Sequence, residues 1–211
     1  MKTGKKVLRG ILYYADLGKL TCRLQTDGSH AGCRSTRKSV VSYVISLTGP
    51  SGTNLTLAWG TKGTTVQMLS SGECEVYGVV VGTRMHISIV MLLSQLLGYK
   101  VQVNDAYVQE LPGHSVNERL ESDAQVALAI LKRGGSESVR HLRRTAGLRV
   151  AWSHRYWCPD TNAADQTASQ RVAAHRRGED LAADYLTKAQ GLEGTEKYTA
   201  QLGVADAFHD Q

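Results

Sequence analysis

The sequence predicts a mixed α/β domain, a mixed sheet flanked by helices. Three observations carry that expectation. Short alternating or β-branched runs follow one another closely between residues 20 and 59 and read as hairpin-linked strands. A long apolar stripe at helical spacing begins just after residue 70. Strand and helix patterns then alternate to residue 188.

Residues 1–19 carry five basic residues and one acid, and Leu8, Ile11, Leu12 and Ala15 recur at helical spacing, so the chain is expected to open on a short amphipathic helix. LTCRLQTD (20–27) alternates and reads as the first strand. The small polar stretch 28–37 reads as a loop. SVVSYVISL (39–47), rich in Val, Tyr and Ile, is a strong strand. The turn cluster TGPSGTN leads to a third, LTLAW (55–59), with VQML (66–69) a candidate continuation. Ser70 and Glu73 have capping-box spacing at the start of a long helix, which Gly98 stops. Residues 100–115 carry no clear pattern. NERLES (117–122) is a short strand, and AQVALAILK is a helix ended by Gly134 and Gly135. A basic helix is expected over about 138–156, a polar loop at CPDTNAADQTASQ, a weak strand at QRVAAH (170–175) and a helix at EDLAADYLTK (179–188). The tail from Gly191 shows little core.

The chain has 211 residues, 25 Lys plus Arg against 19 Asp plus Glu, and a formal charge of +6, a mild lean toward a polyanionic partner. Its four cysteines have no CxxC spacing and read as reduced thiols. Arg9 and Gly10 break the first apolar run, so no signal peptide is expected and the location is intracellular, in cytoplasm or nucleus. Arg84, His86 and Gln95 interrupt the longest apolar region, so no membrane span or membrane partner is expected.

Four acids fall at strand ends and helix starts: Asp27, Glu73, Asp123 and Asp184. Gathered carboxylates repel unless a cation neutralises them. Hard divalent cations take oxygen ligands. The competing reading makes such acids helix caps and solvated surface.

The local strings add a family resemblance. LQTDGSHAG (24–32) resembles the first catalytic strand of the ribonuclease H family. TDGSHAGCRSTRKSVVSYVISL, LAWGTKGTTVQMLSSGECEVYG (57–78), SDAQVALAILKRGG with SVRHL (122–142) and LAADYLTKA (181–189) resemble, in order, the blocks of the copia-type retrotransposon ribonuclease H. KKVLRGILYYADLGKLT is similar to the stretch that joins polymerase to ribonuclease H in such polyproteins. The resemblance implies a ribonuclease H-like three-layer fold, with a five-stranded sheet of three antiparallel strands and then parallel ones. It divides the chain into a polymerase-connection helix remnant (1–19), the domain (20–189, with insertions near 100–116 and 158–169) and a C-terminal tail (190–211).

Carried over residue by residue, the resemblance implies Asp27, Glu73, Asp123 and Asp184 as acids holding two Mg²⁺ or Mn²⁺ ions. Glu75 matches a neighbouring acid of the same string, and a cap at Ser70 competes for Glu73. Asp105 is the rival of Asp123, and Asp180 of Asp184. His175, nine residues before Asp184, stands near the place of a loop histidine thought to assist catalysis or product release. Lys132, Arg133, Arg140, Arg143 and Arg144 form a basic surface, with Trp152, Tyr156 and Trp157 following, suited to the phosphates of an RNA–DNA hybrid. The implied activity is metal-dependent endonucleolytic hydrolysis of the RNA strand of that hybrid, beside an upstream reverse transcriptase and without a small-molecule cofactor. The alternative is a catalytically degenerate nucleic-acid-binding module of the same fold. A strand transferase of that fold is a third reading, disfavoured by the acid order D, E, D, D.

Overall fold

The computed structural model describes residues 6–8, 10–31, 37–97, 101–104, 107–110, 116–145, 149–158, 171–188 and 192–206. The elements run β1 (Lys6–Leu8), β2 (Thr21–Ser29), β3 (Val40–Thr48), β4 (Asn54–Gly63), α1 (Ser71–Leu96), β5 (Val101–Asn104), β6 (Tyr107–Glu110), β7 (Asn117–Ser122), α2 (Gln125–Arg133), α3 (Leu142–Thr145), α4 (Val150–Trp157), β8 (Arg171–His175), α5 (Ala182–Thr187), α6 (Leu192–Leu202) and β9 (Val204–Asp206).

The main sheet has the order β4-β3-β2-β7-β8. β4, β3 and β2 are antiparallel, whereas β2, β7 and β8 run parallel. α1, α2 and α4 pack against one another on one side of the sheet, with Leu24, Ile45, Leu120, Val79, Leu131 and Trp157 in that core. On the other side α5 and α6 bury Ala182, Ala183 and Leu202 against Val44. This three-layer arrangement, with three antiparallel strands and then parallel ones, has the architecture that the resemblance implies.

Local chemistry explains the elements. β2 and β3 are long enough to pair over nine residues, from Thr21 with Thr48 to Ser29 with Val40. Ser70 caps α1 by accepting the Glu73 N–H at 3.2 Å. α2 ends at Gly134, whose φ of 78° is the left-handed conformation glycine adopts at no steric cost. α1 is long and apolar enough to cross a membrane by length and composition alone, but half of its apolar window is buried within the domain.

Four expectations are corrected. Residues 10–17 are not a helix. Ile11 makes an antiparallel bridge with Asn54, and only Tyr14–Asp16 turns, as a 3₁₀ segment. The buried Asp16 carboxylate fixes this strap by accepting the N–H groups of Ser51 (2.8 Å) and Thr53 (3.1 Å). Tertiary partners thus override the helical spacing of the apolar residues. VQML does not extend β4, which ends at Gly63. The basic stretch is not one helix but a 3₁₀ turn at Glu137–Val139 followed by α3 and α4, because Val139, Leu142 and Val150 are each drawn into the core. The C-terminal part has a core, since α6 buries Tyr198 and Leu202, and β9 pairs with β1. Within the unpatterned stretch 100–115, β5 and β6 pair antiparallel, apart from the main sheet. The loop expected at 158–169 lies almost wholly outside the described residues.

Candidate metal centre and basic cleft

β2 and β7 are parallel neighbours, with Leu24 opposite Leu120 and Gln25 opposite Glu121. Two residues further along each chain come Asp27 and Asp123, so the register sets both at the carboxyl ends of adjacent strands. In open α/β sheets that edge is where ligands bind. Asp27 is buried and Asp123 half-buried. α1 supplies the third acid. At Gly28 an added Cβ would stand 3.0 Å from Cys74 Sγ and 3.1 Å from the Glu75 nitrogen, so only glycine allows helix and strand this close. That approach brings Glu75 beside Asp27. Ligand oxygens of Asp27, Glu75 and Asp123 all lie within 4.8 Å of one another.

Asp184 borders this group. Gln25 orients its helix, donating to Glu121 Oε2 (3.0 Å) and accepting the Ala182 N–H (3.1 Å). A Cβ built on Gly178 would meet Asp123 Oδ2 at 2.8 Å and Asp184 Oδ1 at 3.9 Å, which shows how near the two carboxyl groups stand. Thr187 Oγ1 donates to Asp27 Oδ2, and Lys188 Nζ donates to Asp184 Oδ1. Tyr198 OH reaches Asp184 Oδ2 at 3.5 Å.

The charges are strained. Burial, together with the carboxylates of Asp27 and Asp123, pushes Glu75 up to about 8. Burial also raises Asp27, and Asp184 adds to the effect, although the Thr187 hydrogen bond opposes it. Glu75 Oε2 is buried without a hydrogen-bond partner among the described residues. A buried orphan oxygen facing two further carboxylates fits a hard divalent cation, which would supply both the missing partner and the missing positive charge.

Glu73, predicted from the sequence, stands apart from this group. Its Oε2 accepts the Leu69 N–H at 2.8 Å and lies 3.6 Å from His141 Nε2, so the capping role wins and Glu75 takes its place in the cluster. Both acids fit the same string, and helix phase alone separates them. The structure brings Asp27 and Asp123 together, with Asp184 adjacent. Asp180 sits exposed in a 3₁₀ turn, and Asp105 lies outside the described residues. His175 ends β8 as an exposed residue paired in register with Ser122. Thr187 and Lys188 were missed as site residues, although the LTK string contained both.

The basic residues divide. Lys132 and Arg133 are exposed in the last turn of α2. Arg140, Arg143, Arg149 and Arg155 line a cleft of about 790 Å³ together with Trp152 and Glu137. Arg140 Nη1 pairs with Glu137 at 3.3 Å. Arg144 belongs to α3, and its side chain lies outside those described. Tyr156 and Trp157 are core residues, leaving Trp152 as the aromatic of the cleft.

No protein-family model matches the chain, and no curated protein matches it. Among solved structures the chain is similar to ribonuclease H1 from the halophilic archaeon Halobacterium salinarum NRC-1, with 12% identity, 74% of this chain and 85% of that one covered, and a TM-score of 0.36.

Proposed function

We propose that the chain is a metal-dependent endonuclease that hydrolyses the RNA strand of RNA–DNA hybrids, of the copia-type retrotransposon form. The observation that carries this reading is the convergence of Asp27, Glu75 and Asp123 around a Glu75 oxygen that has no hydrogen-bond partner among the described residues. Asp184 borders the same space and completes a set of four carboxylates. Bound divalent ions would lower the pKa of an attacking water and stabilise the leaving 3′ oxygen.

The protein's own part is orientation. Gly28 and the β2–β7 register hold three acids at fixed spacing, and Thr187 fixes the Asp27 carboxylate by donating to it. The arginine-lined cleft beyond the C-terminal end of α2 offers guanidinium groups for phosphates and Trp152 for stacking, which suits a duplex held by its backbone. On this reading the chain works inside the cell beside a reverse transcriptase domain, as the resemblance of its N-terminal stretch suggests.

The test is incubation with an end-labelled hybrid and Mg²⁺, with an EDTA control. Expected products carry 5′ phosphate and 3′ hydroxyl. Asp27→Asn and Asp123→Asn are each expected to abolish cleavage while hybrid binding persists. Metal-independent binding without cleavage by the unmodified chain would instead establish a degenerate binding module.

A further inference from the structure

Lys188 follows α5 directly and lies four residues beyond Asp184. Its ammonium donates to Asp184 Oδ1, and its charge acts on Asp27, Glu75 and Asp123 as well. The two partners differ in access: the Lys188 side chain is 52% exposed, the Asp184 side chain 8%. The cation therefore stands at the mouth of the cluster, between the buried acids and solvent. We propose that Lys188 is a resident counter-ion of the acid cluster, an ammonium that neutralises Asp184 in the metal-free protein and withdraws when a divalent cation enters. The proposal rests on the reading of the cluster as a metal centre.

Lysine suits this role. Its ammonium is a compact point charge on a flexible four-carbon stem, and it can swing into water without disturbing the backbone. Two opposite consequences follow from its removal. Without metal, the four acids lose their shared cation and repel one another more strongly. With metal, the entering ion no longer displaces a competing positive charge. A lysine that served only to pack the end of α5 would not tighten metal binding when removed.

The test uses the full chain as Lys188→Met and Lys188→Arg. Mn²⁺ binding is measured by isothermal titration calorimetry, and thermal unfolding is followed separately in EDTA. Lys188→Met is expected to bind Mn²⁺ roughly three- to tenfold more tightly, from the loss of one nearby like charge in a partly screened site, and to unfold at lower temperature in EDTA. Lys188→Arg, which keeps the charge, is expected to stay near the unmodified protein in both measurements. Unchanged or weaker Mn²⁺ binding by Lys188→Met overturns the counter-ion role. If the unmodified chain binds no Mn²⁺, the metal-centre reading itself falls, so the two failures are distinct.

Discussion

Glu73 and Glu75 show how two acids of one helix turn are sorted into different work. The Glu73 carboxylate closes the first turn of α1 on the Leu69 N–H, while Glu75 faces Asp27 and Asp123. Glu73→Ala should therefore cost about 1 kcal/mol, the usual value of a cap, readable by urea unfolding. Glu75→Gln should do the opposite in the absence of metal. The folded protein holds Glu75 at about 8 rather than 4.5, so its contribution to stability is complete below pH 4.5 and is lost as the pH rises through about 8. In EDTA at pH 8.5, Glu75→Gln should melt higher than the unmodified chain, by roughly 2–4 °C for each kcal/mol of repulsion relieved. No string could separate the two residues, because a cap and a ligand both call for a carboxylate near a helix start.

The elements that build the site were legible where local pattern and tertiary demand agree. LTCRLQTD, SVVSYVISL and NERLES became β2, β3 and β7, and Gly134 ended α2 as its position predicts. The failures lie where distant partners decide. Leu8, Ile11, Leu12 and Ala15 have helical spacing, yet the Ile11–Asn54 bridge and the Asp16 hydrogen bonds hold residues 10–17 as a strap. The basic stretch after α2 reads as one amphipathic run, but Val139, Leu142 and Val150 each enter the core from separate short segments. The β2–α1 contact at Gly28 was equally invisible, since the glycine lies inside what reads as a turn. Gly28→Ala should push α1 away from β2, destabilising the fold by about 1–3 kcal/mol and lowering hybrid cleavage more than hybrid binding. Urea unfolding and paired cleavage and binding assays check this.

Across the whole molecule, a second buried polar group lies away from the acid cluster, toward the N-terminal ends of β2 and β7. Glu118 Oε2 meets His86 Nε2 at 2.8 Å and the Tyr156 hydroxyl, and Arg171 Nε donates to its Oε1 at 2.8 Å. Cys22 Sγ lies 3.7 Å from the other His86 nitrogen. These residues join β2, α1, β7, α4 and β8, so the network ties together β2, α1 and β7, the elements that position Asp27, Glu75 and Asp123. Burial acts to raise Glu118, but His86, Arg171 and Tyr156 outweigh it and hold the carboxyl at about 2. The stability it provides is present above pH 4.5 and is lost as the pH falls toward about 2. Asp16 behaves alike: its hydrogen bonds from Thr53 and Ser51 overcome burial and hold it at about 2. Glu118→Gln should lose about 3–5 kcal/mol at pH 7, as when one partner of a buried ion pair is removed, and its melting temperature should fall less steeply than that of the unmodified protein between pH 4.5 and 2.

On the proposed function, Glu75 forms with Asp27 and Asp123 the centre that hydrolyses RNA. The most direct test compares Mg²⁺-dependent cleavage of one labelled RNA–DNA hybrid by the unmodified chain, Glu73→Ala and Glu75→Gln. The account predicts cleavage by the first two, within a few-fold of each other, and none by Glu75→Gln, with no cleavage by any of them in EDTA. Full activity in Glu75→Gln, or loss of activity confined to Glu73→Ala, would contradict it.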